Sequence, residues 1–378
     1  MKTELGKQFT GIIMKFLRIK VKYFYFARSA QLSVLTAAFG RLFVSWNILG
    51  VRKFESIIGG EYQIKSKFVI HGVEPRREEQ VLPDSRTGVE FSHTFSDRYY
   101  IQILRSIWDI KTGMAFTEDG KIGISDTSSR TQSLLSSTRL PVSRLNPTRE
   151  GQFLIMPSNG YYHWLIEDLP NFLLSLNKYP ESTVLVWESA PPYVLDFLEL
   201  KGITYKFAQR FEKISQVNFL TKGSDSGWIS QQDLIKLRQS FVPYLVPASA
   251  TGKIYISRVN SSRSPKWELT LMELLKNEGW EVVEFEKMNL IEQFQKIYQA
   301  KVVCGVHGAN LSNIVFSTPN SKVIELGGAS FRRCILSLAD ACALIYSRIE
   351  FNYNDTRADS IVAQEVFTQI QDISNSGN

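Results

Sequence analysis

The chain reads as an α/β protein with parallel sheets wound on both faces, and three observations predict this. From residue 253 to 373, short β-branched runs alternate with helix-period segments at the spacing of strand and crossover helix. Lys301 to Phe316 passes from an apolar run through Gly305 and Gly308 into a helix start, which is strand, small-residue turn and helix N-terminus in succession. Strand-like and helix-like runs also recur between 61 and 245, and 378 residues suffice for two domains with separate cores. Ligands of such sheets sit beyond the carboxyl ends of the strands, so the turns after the strands are the places to search.

The first 54 residues differ from the rest. Residues 1–53 hold ten Lys/Arg against one acid, Glu4, a balance of +9, whereas the other 325 residues carry 34 basic and 36 acidic side chains. The formal +7 of the chain thus belongs to an N-terminal arm, and the basic stripe on a folded body that nucleic acid would need is not expected. Lys15, Arg18, Lys20, Lys22 and Arg28 interleave with Phe16, Tyr23, Phe24, Tyr25 and Phe26. Arg41 interrupts the apolar run that follows, which argues against a spanning helix, and no secretory signal is expected. Two readings stay open: an arm lying on an anionic membrane surface, or a helical layer packed on the first domain. Cys304, Cys334 and Cys342 have no metal-ligand spacing, and their odd number fits a reducing compartment better than a disulfide framework.

A first domain is expected over 55–246. Glu61 to Val73 alternates like a strand, and Gly113 to Ser125 reads as a hairpin around Asp119-Gly120. Thr127 to Arg139, rich in Ser and Thr, reads as a loop. Gly151 to Met156 is a strand, Pro157-Ser-Asn-Gly160 a turn, and a helix begins near Tyr161. On it His163 and Glu167 are four residues apart and share one face, while Leu165, Leu169 and Leu173 can face the core. Pro170 has no N–H for Ile166 and is expected to kink or end the helix. The pair reads either as a surface contact or as a carboxylate general base oriented by imidazole. Segments 182–188, 191–200, 217–220 and 231–245 continue the alternation, and Pro243 to Gly252 reads as the linker.

A second domain is expected over 253–352, with a closing helix and tail over 353–378. Strands are expected at 253–257, 280–285, 301–304, 321–326 and 347–351, and helices at 268–277, 290–300, after Ala309, and at 331–344 and 360–373. Arg258 and Arg263 follow the first of these strands, and guanidinium forks suit phosphate oxygens. The N–H groups of Gly308, Ala309 and Asn310 open a helix behind His307, a place where anions bind. Glu325 ends the next strand, either as an acceptor for ribose hydroxyls or as an edge charge. Together these residues suit a nucleoside diphosphate on one side and an acceptor on the other.

Asn159-Gly-Tyr-Tyr-His-Trp-Leu-Ile-Glu-Asp-Leu-Pro170, Ile254-Tyr-Ile-Ser-Arg258 with Arg263, Glu292-Gln293, and His307-Gly-Ala-Asn-Leu-Ser-Asn313 with Val323-Ile-Glu325 resemble glycosyltransferase family 61, including its bacterial capsular-polysaccharide members. The resemblance covers about 150 to 330. It departs where Lys266-Trp267-Glu268 stands in place of Asn-Glu after the arginine loop, and where Asn310 replaces the second glycine of His-Gly-Ala-Gly. It implies a GT-B-like fold, two Rossmann-like domains facing each other across a cleft, and inverting transfer of a sugar from a nucleotide-sugar donor. The acceptor would be a glycan or lipid-linked glycan of surface polysaccharide synthesis, and a cytoplasmic protein is expected, peripheral on the inner face of the membrane if the arm binds there. In this reading Glu167, His163 and Asp168 are the catalytic candidates, and Arg258, Arg263, His307, Gly308, Ala309, Asn310 and Glu325 hold the donor. No Asp-x-Asp occurs in the chain, so no metal and no cofactor beyond the nucleotide-sugar substrate are expected.

Overall fold

The computed structural model describes residues 68–76, 78–83, 90–116, 122–124, 147–158, 160–221, 224, 227–247, 249–329 and 333–376. The expectations for the N-terminal arm, the Asp119-Gly120 turn and the loop at 127–139 lie outside the described residues. The first ten strands are β1 (Phe68–Glu74), β2 (Glu79–Pro83), β3 (Glu90–Thr94), β4 (Arg98–Asp109), β5 (Met114–Phe116), β6 (Ile122–Ile124), β7 (Arg149–Met156), β8 (Thr183–Trp187), β9 (Tyr205–Ala208) and β10 (Phe211–Leu220). All but β2 and β3 form one sheet, in the order β6-β5-β4-β10-β7-β8-β9 with β1 beside β4; β2 and β3 pair as a ribbon. Only β10-β7-β8-β9 is parallel, because β4 runs antiparallel to β10. The expected parallel sheet is therefore mixed in this half. β5 and β6 form the hairpin expected around 113–125.

The second sheet holds β11 (Gly252–Ile256), β12 (Glu281–Val283), β13 (Ala300–Val306), β14 (Lys322–Gly327) and β15 (Ile345–Glu350) in the order β12-β11-β13-β14-β15. Every neighbouring pair is parallel. Numbered within the sheet this order is 2-1-3-4-5, which places the reversal of winding between β11 and β13, where a doubly wound sheet opens a crevice at its carboxyl edge. In the first sheet the winding reverses at β7, which has β8 on one side and β10 on the other.

The principal helices are α1 (161–178), α2 (Pro192–Leu200), α3 (Gln231–Phe241), α4 (Glu268–Asn277), α5 (Leu290–Gln299), α6 (Cys334–Ala341) and α7 (Asp359–Asn375). α1 does not stop at Pro170. A π-turn over Trp164–Asp168, in which the Leu169 N–H reaches the Trp164 carbonyl, widens the helix by one residue just before the proline. This loosened turn takes up the missing N–H, and helix resumes to Lys178. The extra residue also rotates the register. Leu165 and Leu169 are buried as expected, but Phe172 and Leu174 take the core beyond them while Leu173 is only partly buried.

One core runs between the two sheets. Leu165, Ile166 and Leu169 of α1 pack with Phe197, Phe241, Phe294, Phe316 and the strand residues Val186 and Val303. Ring centroids lie 5.8 Å apart for Phe197–Phe241, 4.9 Å for Phe241–Phe294 and 4.0 Å for Phe294–Phe316, a continuous aromatic column. At this layer the two halves share one core. The other face of the second sheet is covered by α4 and α7, with Tyr255, Leu271, Val302, Ile324, Val366 and Ile370 in contact. The chain crosses from one sheet to the other through 242–251, anchored where the Val246 N–H donates to Gln295 Oε1 at 2.7 Å.

α5 shows why this layer forms. Asn289 Oδ1 accepts the Glu292 N–H at 3.0 Å and Glu292 Oε2 accepts the Asn289 N–H at 2.9 Å, a reciprocal cap that fixes the helix start. Asn289→Ala is expected to cost about 1 kcal/mol, read as a lower unfolding midpoint in urea with an unchanged slope.

Candidate active site

The carboxyl edge of the second sheet is built from the ends of β11, β13 and β14. β13 must lie close to β11 at its end: a Cβ on Gly305 would stand 3.2 Å from the Ile256 carbonyl oxygen. His307 follows, with its N–H donating to the Leu326 carbonyl at 2.7 Å, so its backbone is still held by β14. Gly308 then has φ 174°, an extended conformation open to any residue. Its lack of a side chain matters sterically, not conformationally. The Arg258 guanidinium lies across it and donates through Nη1 to the His307 carbonyl, and a Cβ at 308 would meet Nη1 at 2.4 Å and Cζ at 2.7 Å.

Behind Gly308 the chain enters the expected helix, which is wound as a 3-10 helix, Ala309–Phe316. The Leu311 N–H bonds the Gly308 carbonyl, and Ser312 Oγ returns to the Ala309 carbonyl at 2.6 Å, both three-residue spans that hold the tighter winding. His307, Gly308, Ala309 and Asn310 are each partly exposed, and burial resumes at Leu311.

Arg258 is set by Glu268, which the sequence reading passed over as part of a departure from motif. Glu268 is buried at the start of α4, where its Oε1 accepts the Arg258 N–H at 2.7 Å and the Tyr255 hydroxyl at 3.0 Å, and its Oε2 accepts Ser264 Oγ. Arg258 Nη2 also reaches Ser261 Oγ at 3.0 Å. Burial first, and the charge of Arg263 second, hold Arg258 below the ordinary arginine range. Arg263 itself is exposed. Two guanidinium groups on the one loop after β11 suit an anion.

Glu325 does not reach outward. Its carboxylate is 0% exposed, accepts from His307 Nδ1 and from the Tyr346 hydroxyl, and forms an ion pair with Arg348, whose Nη1 lies 3.2 Å away. Burial, then the Glu325 charge, push the Tyr346 phenol far above its ordinary range, so it stays a hydrogen-bond donor. Glu325 thus fixes His307 through Nδ1, and the His307 side chain stays 24% exposed. Tyr346 and Arg348 were not anticipated. Both stand on β15, at register with Val323 and Glu325 across the sheet.

The second cluster stands at the reversal point of the first sheet. After β7, Ser158 is pinned by its N–H to the Lys111 carbonyl at 2.8 Å, and Gly160 adopts φ 82°, a left-handed conformation that suits glycine, to aim the chain into α1. His163 Nδ1 and Glu167 Oε1 are 2.9 Å apart. The exposures are unequal: the Glu167 side chain is 2% exposed and that of His163 30%. The sequence reading made Glu167 the outward base and His163 its orienter. In the structure the carboxylate is the buried partner and the imidazole, held through Nδ1, the more exposed one. Asp168, also buried, lies near enough to Tyr193 that its charge, after burial, helps push that phenol up to about 12.

The two clusters are mechanically coupled. The Tyr161 hydroxyl donates to Asn313 Oδ1 at 2.6 Å, Asn313 Nδ2 to Gln293 Oε1 at 3.0 Å, and Gln293 Nε2 to the Phe285 and Met288 carbonyls at 2.9 and 3.0 Å. The first turn of α1 is thus fastened to the 3-10 helix behind His307. Below it, the carbonyl of Glu167 accepts Asn171 Nδ2 at 3.1 Å, and Asn171 Oδ1 accepts from buried Arg98, which pairs with Asp233 at 2.9 Å. Among the described residues no three His, Cys, Asp or Glu side chains gather as metal ligands, and no helix is long and apolar enough to cross a membrane.

Two comparisons with known proteins find similarity. Residues 161–324, less than half of the chain, match the family model Glycosyltransferase 61. A segment of 49 residues is 45% identical to the beta-1,2-xylosyltransferase RCN11 of Oryza sativa subsp. japonica, a match spanning 13% of this chain and 9% of that protein. The matched family span begins at Tyr161, takes in His163–Glu167, Arg258, Glu268 and the His307 loop, and closes one residue before Glu325. By this match residues 161–324 are similar to glycosyltransferase family 61.

Proposed function

We propose that the chain transfers a sugar from a nucleotide-sugar donor to a hydroxyl of a glycan acceptor, with inversion and without a metal ion. The observation that carries this reading is Arg258, laid flat on Gly308 and bonded to the His307 carbonyl, at the point where the winding of a doubly wound sheet reverses. Arg258, Arg263 and the amides behind His307 would hold the diphosphate and meet the charge it gains as the glycosidic bond breaks. His163, held by Glu167, would take the proton of the acceptor hydroxyl while that oxygen bonds the anomeric carbon from the face opposite the departing diphosphate. The nucleoside diphosphate leaves with the bonding electrons, and His163 later returns the proton to water. In this reading the sheets form the two halves of a GT-B-like enzyme, divided at 247–252, and the basic arm at 1–53 would bring it to an anionic membrane carrying the acceptor.

The test is a panel of nucleotide sugars, with release of the nucleoside diphosphate measured with and without glycan acceptors. A xylosyl donor comes first, because the rice relative is named a xylosyltransferase. One donor is expected to be hydrolysed slowly alone and faster with acceptor. Donor binding with no turnover under any condition would instead mark a glycan- or nucleotide-sugar-binding protein.

A further inference from the structure

At the carboxyl edge of the second sheet, three glycines each lie under a planar group. Arg258 covers Gly308; Arg348 covers Gly327, where a Cβ would meet its guanidinium at 2.6 Å; and the ring of Tyr353 covers Gly328, where a Cβ would stand 3.0 Å from Cδ2 and Cε2. Two cations and one aromatic ring thus lie close to the backbone at this edge. The first two layers have partners beneath them in His307 and Glu325. Tyr353 has a different character. It lies in the turn after β15, edge-on to Phe351 at 4.5 Å between centroids, and is 43% exposed, although an aromatic ring resting on a strand end would ordinarily be covered. Gly328, which it covers, follows β14, the neighbour in the sheet of the strand that leads into His307, so the ring stands at the same edge as the proposed diphosphate site. It also lies beyond 161–324, outside the family match.

We infer that the exposed ring of Tyr353 is the stacking platform for the base of a nucleoside diphosphate whose phosphates lie at Arg258 and Arg263. This rests on the donor site proposed above and adds the residue that would recognise the base. A nucleobase offers a flat π-face of the size of the phenol ring, and stacking needs only that one face of the ring be open while the other is supported. Gly328 and Phe351 supply the support, and the 43% exposure supplies the open side. Because stacking is tolerant of base identity, Tyr353 would raise affinity for nucleotides as a class, and the choice among bases would fall to groups around it.

The experiment is isothermal titration calorimetry of the full chain, as wild type, Tyr353→Ala and Tyr353→Phe, against UDP, GDP, CDP, ADP and inorganic pyrophosphate. Tyr353→Ala is expected to weaken the nucleoside diphosphates that wild type binds by about 5- to 100-fold, the range for loss of one base-on-aromatic contact, and to leave pyrophosphate affinity unchanged. Tyr353→Phe should keep nucleotide affinity within about twofold, since the π-face is retained. Equal loss for pyrophosphate would mean that the ring only props the arginines, and no loss for either would mean that it touches no ligand; both results overturn the inference while sparing the donor site. Wild type that binds neither pyrophosphate nor any nucleotide would overturn the donor site, and this inference with it.

Discussion

His163→Ala is expected to lower kcat by roughly 10²- to 10⁴-fold, the contribution of a positioned general base, with donor affinity unchanged. The ring stands at the start of α1 with 30% of its side chain exposed, so its removal opens a site that water and small solutes can enter and leaves the core intact. Glu167→Gln is a different change. Glutamine keeps the shape of the buried side chain and removes the charge that would stabilise the imidazolium formed as the proton moves, so a smaller loss in kcat is expected, roughly 10- to 100-fold. The order of the two effects decides the roles. A base at His163 predicts the larger loss for His163→Ala and partial rescue of that variant by added imidazole, whose nitrogen can occupy the vacated space. A base at Glu167 predicts the larger loss for Glu167→Gln and no rescue. Both variants should bind a nucleoside diphosphate as wild type does, because neither residue lies at the second sheet; a fall in donor affinity would show that the split between acceptor and donor sides is misdrawn.

Much of the second sheet could be read from the chain because its information is local. The helix at Glu268–Asn277 has the bounds that periodicity predicts, and strands 300–306 and 322–327 sit where β-branched runs meet glycine. Where the structure departs, the deciding contact comes from far along the chain. The antiparallel half of the first sheet depends on β4 meeting β10 across more than a hundred residues, and no local pattern announces that pairing. Glu268 reads as an ordinary acid in a first helical turn until Tyr255, Arg258 and Ser264 converge on it. Glu325 reads as an edge charge until Tyr346 and Arg348 arrive from the neighbouring strand and close over it. The π-turn and the 3-10 helix are hidden for another reason. Residue preferences scarcely separate windings of three, four or five residues, so only Pro170 hinted that the winding would change.

Gly308→Ala is expected to weaken binding of a nucleoside diphosphate by roughly 10- to 100-fold, about as much as Arg258→Ala, since charge-assisted hydrogen bonds are worth about 1.5–3 kcal/mol each. The backbone tolerates the change, because φ 174° is open to alanine. The new methyl would fall 2.4 Å from Arg258 Nη1, and a guanidinium can yield where backbone cannot. Arg258 would therefore swing off the floor, losing its bond to the His307 carbonyl and its aim at the phosphates, while Glu268 keeps the arginine loop in place through the Arg258 N–H. Stability should fall little, and the unfolding midpoint checks that. The double variant separates this account from its rival. If both changes act through the one guanidinium, Gly308→Ala adds nothing once Arg258 is alanine, so the combined loss equals that of Arg258→Ala alone. If the methyl instead obstructs the phosphate directly, the two losses multiply, and the amides behind His307, more than the arginine above them, would then be the main anchor of the donor.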